Sequence, residues 1–143
     1  MNPRPIVPDA SVAVKWLVDE EFSEEAASWR DADGVTFHVP DLWYLEIGSA
    51  LWKRLRRVDP AYRFALLHDA LDALRTVQPT VYSAAILVER AVSLALETGL
   101  SVSDASYAAV AELEHATLIT ADARLARSLA GHTSARIELL GQA

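Results

Sequence analysis

The chain contains no cysteine, and only two of its basic residues, Lys15 and Lys53, are lysines. The first absence excludes disulfides, thiolate zinc sites and cysteine nucleophiles. It fits a reducing compartment, and a cytoplasmic location is expected. Lys and Arg together number 13 against 20 acids, a formal charge of -7. Such a balance argues against a general polyanion binder, whose affinity comes from excess positive charge. It suits a protein that gathers carboxylates around cations or meets a basic partner segment. Long apolar runs are missing too. The start, MNPRPIVPD, does not read as a secretory signal. The most apolar stretch, AAILVERAVSLAL, is broken by Glu89 and Arg90, so no membrane span is expected. The turn after the first apolar run, DASVAV, has no glycine, which argues against a phosphate-cradling nucleotide loop. Four scattered histidines show no HExxH spacing and are assigned to no site.

What remains is a chain of 143 residues, about half of them hydrophobic. That length suits one domain, residues 1–143, without repeats or linker-like segments. Short β-rich runs, Ile6–Asp9, Val35–Val39, Val77–Tyr82, Thr117–Thr120 and Arg136–Leu140, alternate with helical stretches near 11–18, 22–32, 41–57, 60–75, 83–98, 104–114 and 122–130. This alternation predicts an α/β fold: a three-layer α/β/α sandwich around a central, mostly parallel sheet of about five strands. Asp59 with Pro60 marks a helix start. Asp41, directly after Pro40, reads as the plain cap of the helix that follows. In an open parallel sheet, ligands bind beyond the carboxyl ends of the strands where strand order reverses. If the first and fourth strands flank that point, Asp9 and Asp122 meet at one edge.

Each of the interesting acids also has an ordinary explanation. Asp9 and Asp122 precede helices, where Asp is a favoured N-cap. Ser101-Val-Ser-Asp104 matches a capping box. Glu46 lies in DLWYLEIGSALWKRLRR, where it can simply face water. Glu20, Glu21, Glu24 and Glu25 read as a solvated acidic helix start. The run Lys53 to Arg57 is either a phosphate-guiding stripe or a solvated helix end favoured by the dipole. The four tryptophans are assigned to core or subunit surface rather than to base stacking. Hydroxyls at Ser11 and Thr120, each two residues from a strand-end aspartate, are positioned to orient a carboxylate.

Four segments taken together, IVPDAS, PDLWYLEIGSALW, LSVSDASYAAVA and LITADARLA, resemble the PIN-domain nucleases and, more narrowly, VapC-type toxins of toxin–antitoxin pairs. The likeness runs from the first strand to the last. It implies an acidic quartet of Asp9, Glu46, Asp104 and Asp122, with Thr120 and Ser11 in support. Two positions depart from the usual pattern: Ser49 stands where many relatives carry Asn, and Ser103 where an aromatic is common. The resemblance further implies an RNA substrate, a cognate antitoxin and a homodimer; from the placement of charge, Lys53, Arg57 and Arg124 are candidate contacts for RNA or antitoxin, Arg124 alternatively pairing with local acids.

Physical chemistry says what such a quartet needs. Two carboxylates about 5 Å apart repel by roughly 3 kcal/mol at an effective dielectric of about 20. Oxygen ligands without His or Cys favour Mg²⁺ or Mn²⁺ over zinc. The expected activity is therefore metal-dependent hydrolysis of RNA phosphodiesters. Two other phosphoryl chemistries fail on single residues. Position 11 is Ser where one aspartyl-nucleophile family needs a second acid, and both lysines come too early for a phospho-receiver. The alternative of another class is a non-catalytic PIN-like module that binds RNA or protein and uses its acids only as caps.

Overall fold

The computed structural model describes residues 2–142. Five strands alternate with seven helices: β1 (Arg4–Pro8), α1 (Ala10–Leu17), α2 (Ser23–Asp31), β2 (Val35–Pro40), α3 (Trp43–Leu55), α4 (Pro60–Thr76), β3 (Thr80–Tyr82), α5 (Ala84–Thr98), α6 (Val102–Glu114), β4 (Thr117–Thr120), α7 (Ala123–Leu129) and β5 (Arg136–Leu139). The strands form one sheet in the order β3-β2-β1-β4-β5. Every neighbouring pair is parallel, with Ile6 opposite Phe37 on one side and opposite Thr117 on the other. The chain leaves β1 toward β2 and β3, then returns to the other side of β1 for β4. The reversal of order thus falls between β1 and β4, which meets the condition under which Asp9 and Asp122 come together.

Successive residues of a strand face opposite ways, and here each face is covered. Val7 and Leu118 enter a large core with Trp43, Ile47, Leu87, Leu94 and most of α6. Ile6 and Ile119 enter a second cluster with Val12 of α1, Ala26 of α2 and Leu140. The result is the three-layer α/β/α sandwich expected from the alternation, with a sheet that is wholly parallel. Helix α6 lies at its centre: every residue from Ala105 to Ala111 is buried. Alanine at 105, 108, 109 and 111 lets the α6 backbone approach β1, β2 and β4 closely on one side and α5 on the other. Gly99 ends α5 with a φ of +76°, a left-handed turn that costs glycine little and most residues more.

Three local expectations need correction. β3 begins at Thr80 rather than Val77. Val77 closes α4 instead, and Pro79 has no N–H to give a ladder. Asp41 does not cap its own helix. The N-cap of α3 is Leu42, without a side-chain bond, while Asp41 Oδ2 accepts from the Ala84 N–H at 3.1 Å and so serves the start of α5. Glu20 is not simply solvated: it accepts from Lys15 Nζ at 3.1 Å and pairs with Arg54, tying the start of α2 to α1 and α3. Asp59 does cap α4 as expected, accepting from Ala61.

Candidate active site

The last residue of β1 is Pro8, and the chain turns from strand to helix at Asp9, which has extended backbone angles. Its backbone N–H donates to Ile119 of β4 at 3.0 Å, locking the turn against the neighbouring strand. The carboxylate faces inward and is only 6% exposed. Ser11 Oγ donates to Oδ1 and Thr120 Oγ1 to Oδ2, both at 2.5 Å, and the Val12 N–H donates to Oδ1 at 3.2 Å. Ser11 Oγ also accepts from the Ala121 N–H, so one hydroxyl fastens the ends of β1 and β4 together.

Asp9 is therefore a helix cap and something more. An exposed aspartate would cap α1 equally well, whereas burial pushes this carboxyl up to about 6 despite its three donors. The negative charge of Asp122 adds to the rise. Asp122 follows β4 and caps α7 through the N–H groups of Arg124 and Leu125. Its own N–H donates to Thr120 Oγ1 at 3.0 Å. A single threonine hydroxyl thus lies between the two aspartates, donating to one side chain and accepting from the backbone of the other.

The remaining acids arrive from helices. Ser101 Oγ accepts from the Asp104 N–H at 3.0 Å, which is one half of the predicted capping box. The Asp104 carboxylate itself turns toward Arg124, whose Nη2 lies 3.4 Å away. Arg124, in the first turn of the helix that Asp122 caps, thus links that helix to Asp104. Glu46 occupies the first turn of α3, and that turn is fixed by Trp43, whose indole N–H donates to the Pro8 carbonyl at 2.9 Å. Glu46 Oε1 accepts from the hydroxyl of Tyr107. Tyr107 was not singled out from the sequence, although it sits one turn after Asp104 inside DASY. Its phenol is pushed far above the usual range, first by burial, then by Glu46 and by the nearby charges of Glu46 and Asp9.

Of the four acids, Asp9 and Asp122 meet through Thr120 at the carboxyl edge of β1 and β4, Asp104 is tied to Arg124, and Glu46 to Tyr107. They are not drawn into one coordination shell: among the described residues, no three acid or histidine side chains are close enough to hold an ion together. In kind, the donors fit a hard divalent cation, since all are carboxylate oxygens and the most buried of them has no paired cation among the described residues. Magnesium keeps several of its waters, so carboxylates set wider than direct ligation requires can still hold it.

Apart from Arg124, a basic cluster lies at the end of α3. Lys53, Arg56 and Arg57 are exposed at the end of α3, around a concavity of about 540 Å³. The last carbonyls of α3 do not depend on them, because Arg63 of α4 donates to Leu55, Arg56 and Val58 at 2.9 Å each. Trp43 is core as expected, whereas Trp52 is 59% exposed under the Arg56 guanidinium, 4.7 Å from its ring centre. No described helix is long and apolar enough to cross a membrane.

The PIN domain family profile matches residues 6–128. Ribonuclease VapC3 of Pyrobaculum aerophilum is 34% identical over 125 residues, spanning 85% of this chain and 92% of that protein. The crystal structure of PAE2754 from Pyrobaculum aerophilum superposes with a TM-score of 0.67 at 26% identity, over 96% of this chain and 91% of its own. A toxin–antitoxin complex from Klebsiella pneumoniae shares the fold, with a TM-score of 0.58 at 18% identity over 88% and 91% of the two chains. The chain belongs to the PIN domain family.

Proposed function

We propose that this PIN-domain protein is a divalent-metal-dependent endoribonuclease toxin that hydrolyses RNA phosphodiester bonds and is neutralised by a cognate antitoxin protein. The observation that carries this reading is Asp9. A carboxylate buried at the switch point of the sheet, with a second carboxylate beside it and only hydroxyls and an N–H as partners, is a costly arrangement for a cap. It is a useful one for a cation site. The relative named as a ribonuclease and the structural neighbour solved as a toxin–antitoxin complex support the same assignment.

Asp9, Asp104, Asp122 and Glu46 would hold Mg²⁺ or Mn²⁺. Bound there, the cation supplies Lewis acidity toward a phosphoryl oxygen and eases deprotonation of an attacking water. Thr120 and Ser11 fix the direction of the Asp9 carboxylate. Arg124, beside Asp104, is placed to turn onto a phosphate oxygen once the acids have another counter-charge. Lys53 and Arg57, exposed at the far end of the helix that begins near Glu46, suit backbone phosphates further along the strand, which position RNA without reading its sequence. Exposed Ile86, Val88, Val92 and Leu96 along α5 suit pairing of two copies as a homodimer.

A purified sample incubated with RNA and Mn²⁺ tests the proposal. Cleavage that EDTA stops, and that Asp9→Asn abolishes without unfolding the protein, is the expected result; cleavage undiminished by both treatments removes it. The reading as a non-catalytic module has one specific observation in its favour, since Asp9 and Asp122 do cap α1 and α7. In that case Mn²⁺ leaves thermal stability unchanged in the parent and in Asp9→Asn alike, since asparagine also caps a helix.

A further inference from the structure

Glu46 is the longest of the four acids and the one with the most freedom to lose. Ordering a glutamate side chain costs more rotamer entropy than ordering an aspartate, so something must hold it if it is to serve the acidic edge. The hydroxyl of Tyr107 does so. Tyr107 is 2% exposed and is carried on the most deeply packed helix of the molecule. Asp104 and Tyr107 are three residues apart and share one face of α6. The same rigid helix thus presents one acid and grips another, 61 residues away in the chain. At its base, α3 is held by the indole of Trp43 on Pro8, so both ends of the Glu46–Tyr107 contact are anchored in core.

We propose that Tyr107 is a positioning residue for metal binding: its hydroxyl occupies Oε1 of Glu46, fixes the carboxylate on the acidic edge and leaves only the second oxygen to face a cation. The inference rests on the metal-dependent reading above and concerns how the cation is held. A tyrosine that merely satisfies its own buried hydroxyl would need an acceptor of any kind. A positioning tyrosine matters through the carboxylate it orients, and this difference can be measured.

The experiment reads the Mn²⁺ concentration that gives half-maximal thermal stabilisation, which needs no RNA and no turnover. Tyr107→Phe removes the hydroxyl and keeps the ring, and should raise that concentration about 10-fold, the scale expected when an orienting partner of a metal ligand is lost. In a Glu46→Gln background, where position 46 no longer carries charge to a cation, the same substitution should change it less than about twofold. Equal increases in both backgrounds would make Tyr107 a packing residue only, and no increase in the parent background would remove its role altogether. If Tyr107→Phe folds poorly without metal, Tyr107→Met, flexible and equally without a donor, repeats the comparison with the same outcomes. Failure of the unsubstituted protein to respond to Mn²⁺ would instead overturn the proposed function, and this inference with it.

Discussion

The two ends of α6 open onto acids in opposite electrostatic states. At the C-terminal end, Glu112 accepts from Arg90 Nε at 2.7 Å and Nη2 at 3.1 Å, and from Thr133 Oγ1 at 2.6 Å. Burial alone would push its carboxyl up, but the hydrogen bonds from Arg90 and Thr133 and the Arg90 charge hold it below the ordinary glutamate range. Beyond the N-terminal end, burial prevails over every donor at Asp9 and leaves that carboxyl at about 6. Both acids are well hydrogen-bonded. Only Glu112 has its own cation, so one acid is a finished structural pair while the other lacks compensating charge. Glu112 brings its guanidinium with it, whereas the charge that would balance Asp9 is left to be supplied.

The sharpest way to break this comparison is to measure cleavage. Asp9→Asn or Asp122→Asn should lower Mn²⁺-supported RNA cleavage more than about 100-fold, while Glu112→Gln should leave it within about twofold. Equal losses on a gel assay would erase the distinction between the two ends.

Stability against pH comes next, and the two ends should move in opposite directions. The rise at Asp9 from 3.8 to about 6 means that the folded protein binds the proton more tightly than the unfolded chain. Metal-free stability should therefore fall as pH rises from about 4 to about 6, by up to about 3 kcal/mol for a shift of this size. Glu112, held low, contributes stability that is present above the ordinary carboxylate range and is lost as pH falls through its lowered folded value. Urea unfolding between about pH 2 and pH 8 checks both. At neutral pH, Asp9→Asn should stabilise the metal-free protein, with asparagine still able to cap α1, and Glu112→Gln should cost about 1 kcal/mol. Destabilisation by both substitutions would contradict the assignment of Asp9.

Linkage to metal sharpens the contrast further. At about 100 times its dissociation constant, Mn²⁺ should stabilise the protein by about 2.7 kcal/mol, a shift of several degrees in a melting curve. Glu112→Gln should keep that shift and Asp9→Asn should lose it. The smallest effect belongs to the remote cations. Lys53→Ala with Arg57→Ala should raise KM for RNA about threefold, with kcat unchanged and the difference shrinking as salt is added. A fall in kcat instead would place the end of α3 closer to the chemistry than its position suggests.

Much of this site can be read from local pattern. Asp9 and Asp122 announce themselves because a strand end, a helix start and a small hydroxyl neighbour all lie within a few residues of each. The parallel sheet follows from the alternation of strands and helices, whereas the strand order that joins the two aspartates is decided by the fold. Asp41 shows where the same approach fails: a proline and an aspartate before a helix look like a self-contained cap, yet the carboxylate reaches α5, because β2 and β3 end side by side. Arg63 is similar, since nothing around it in the chain reveals that it closes the end of α3. Tyr107 was within reach through its three-residue spacing from Asp104, but its partner was not.

By itself, then, the order of residues determined the layers and the parallel sheet, because those depend on periodicity, capping and turn chemistry within short windows, while the quartet of acids rests on the family resemblance. Only the tertiary structure decided which acid is buried and lacks a counter-charge, and which hydroxyl or guanidinium faces each carboxylate. Those outcomes depend on desolvation and on contacts between segments as distant as Asp9 and Thr120, and no local window of sequence contains them.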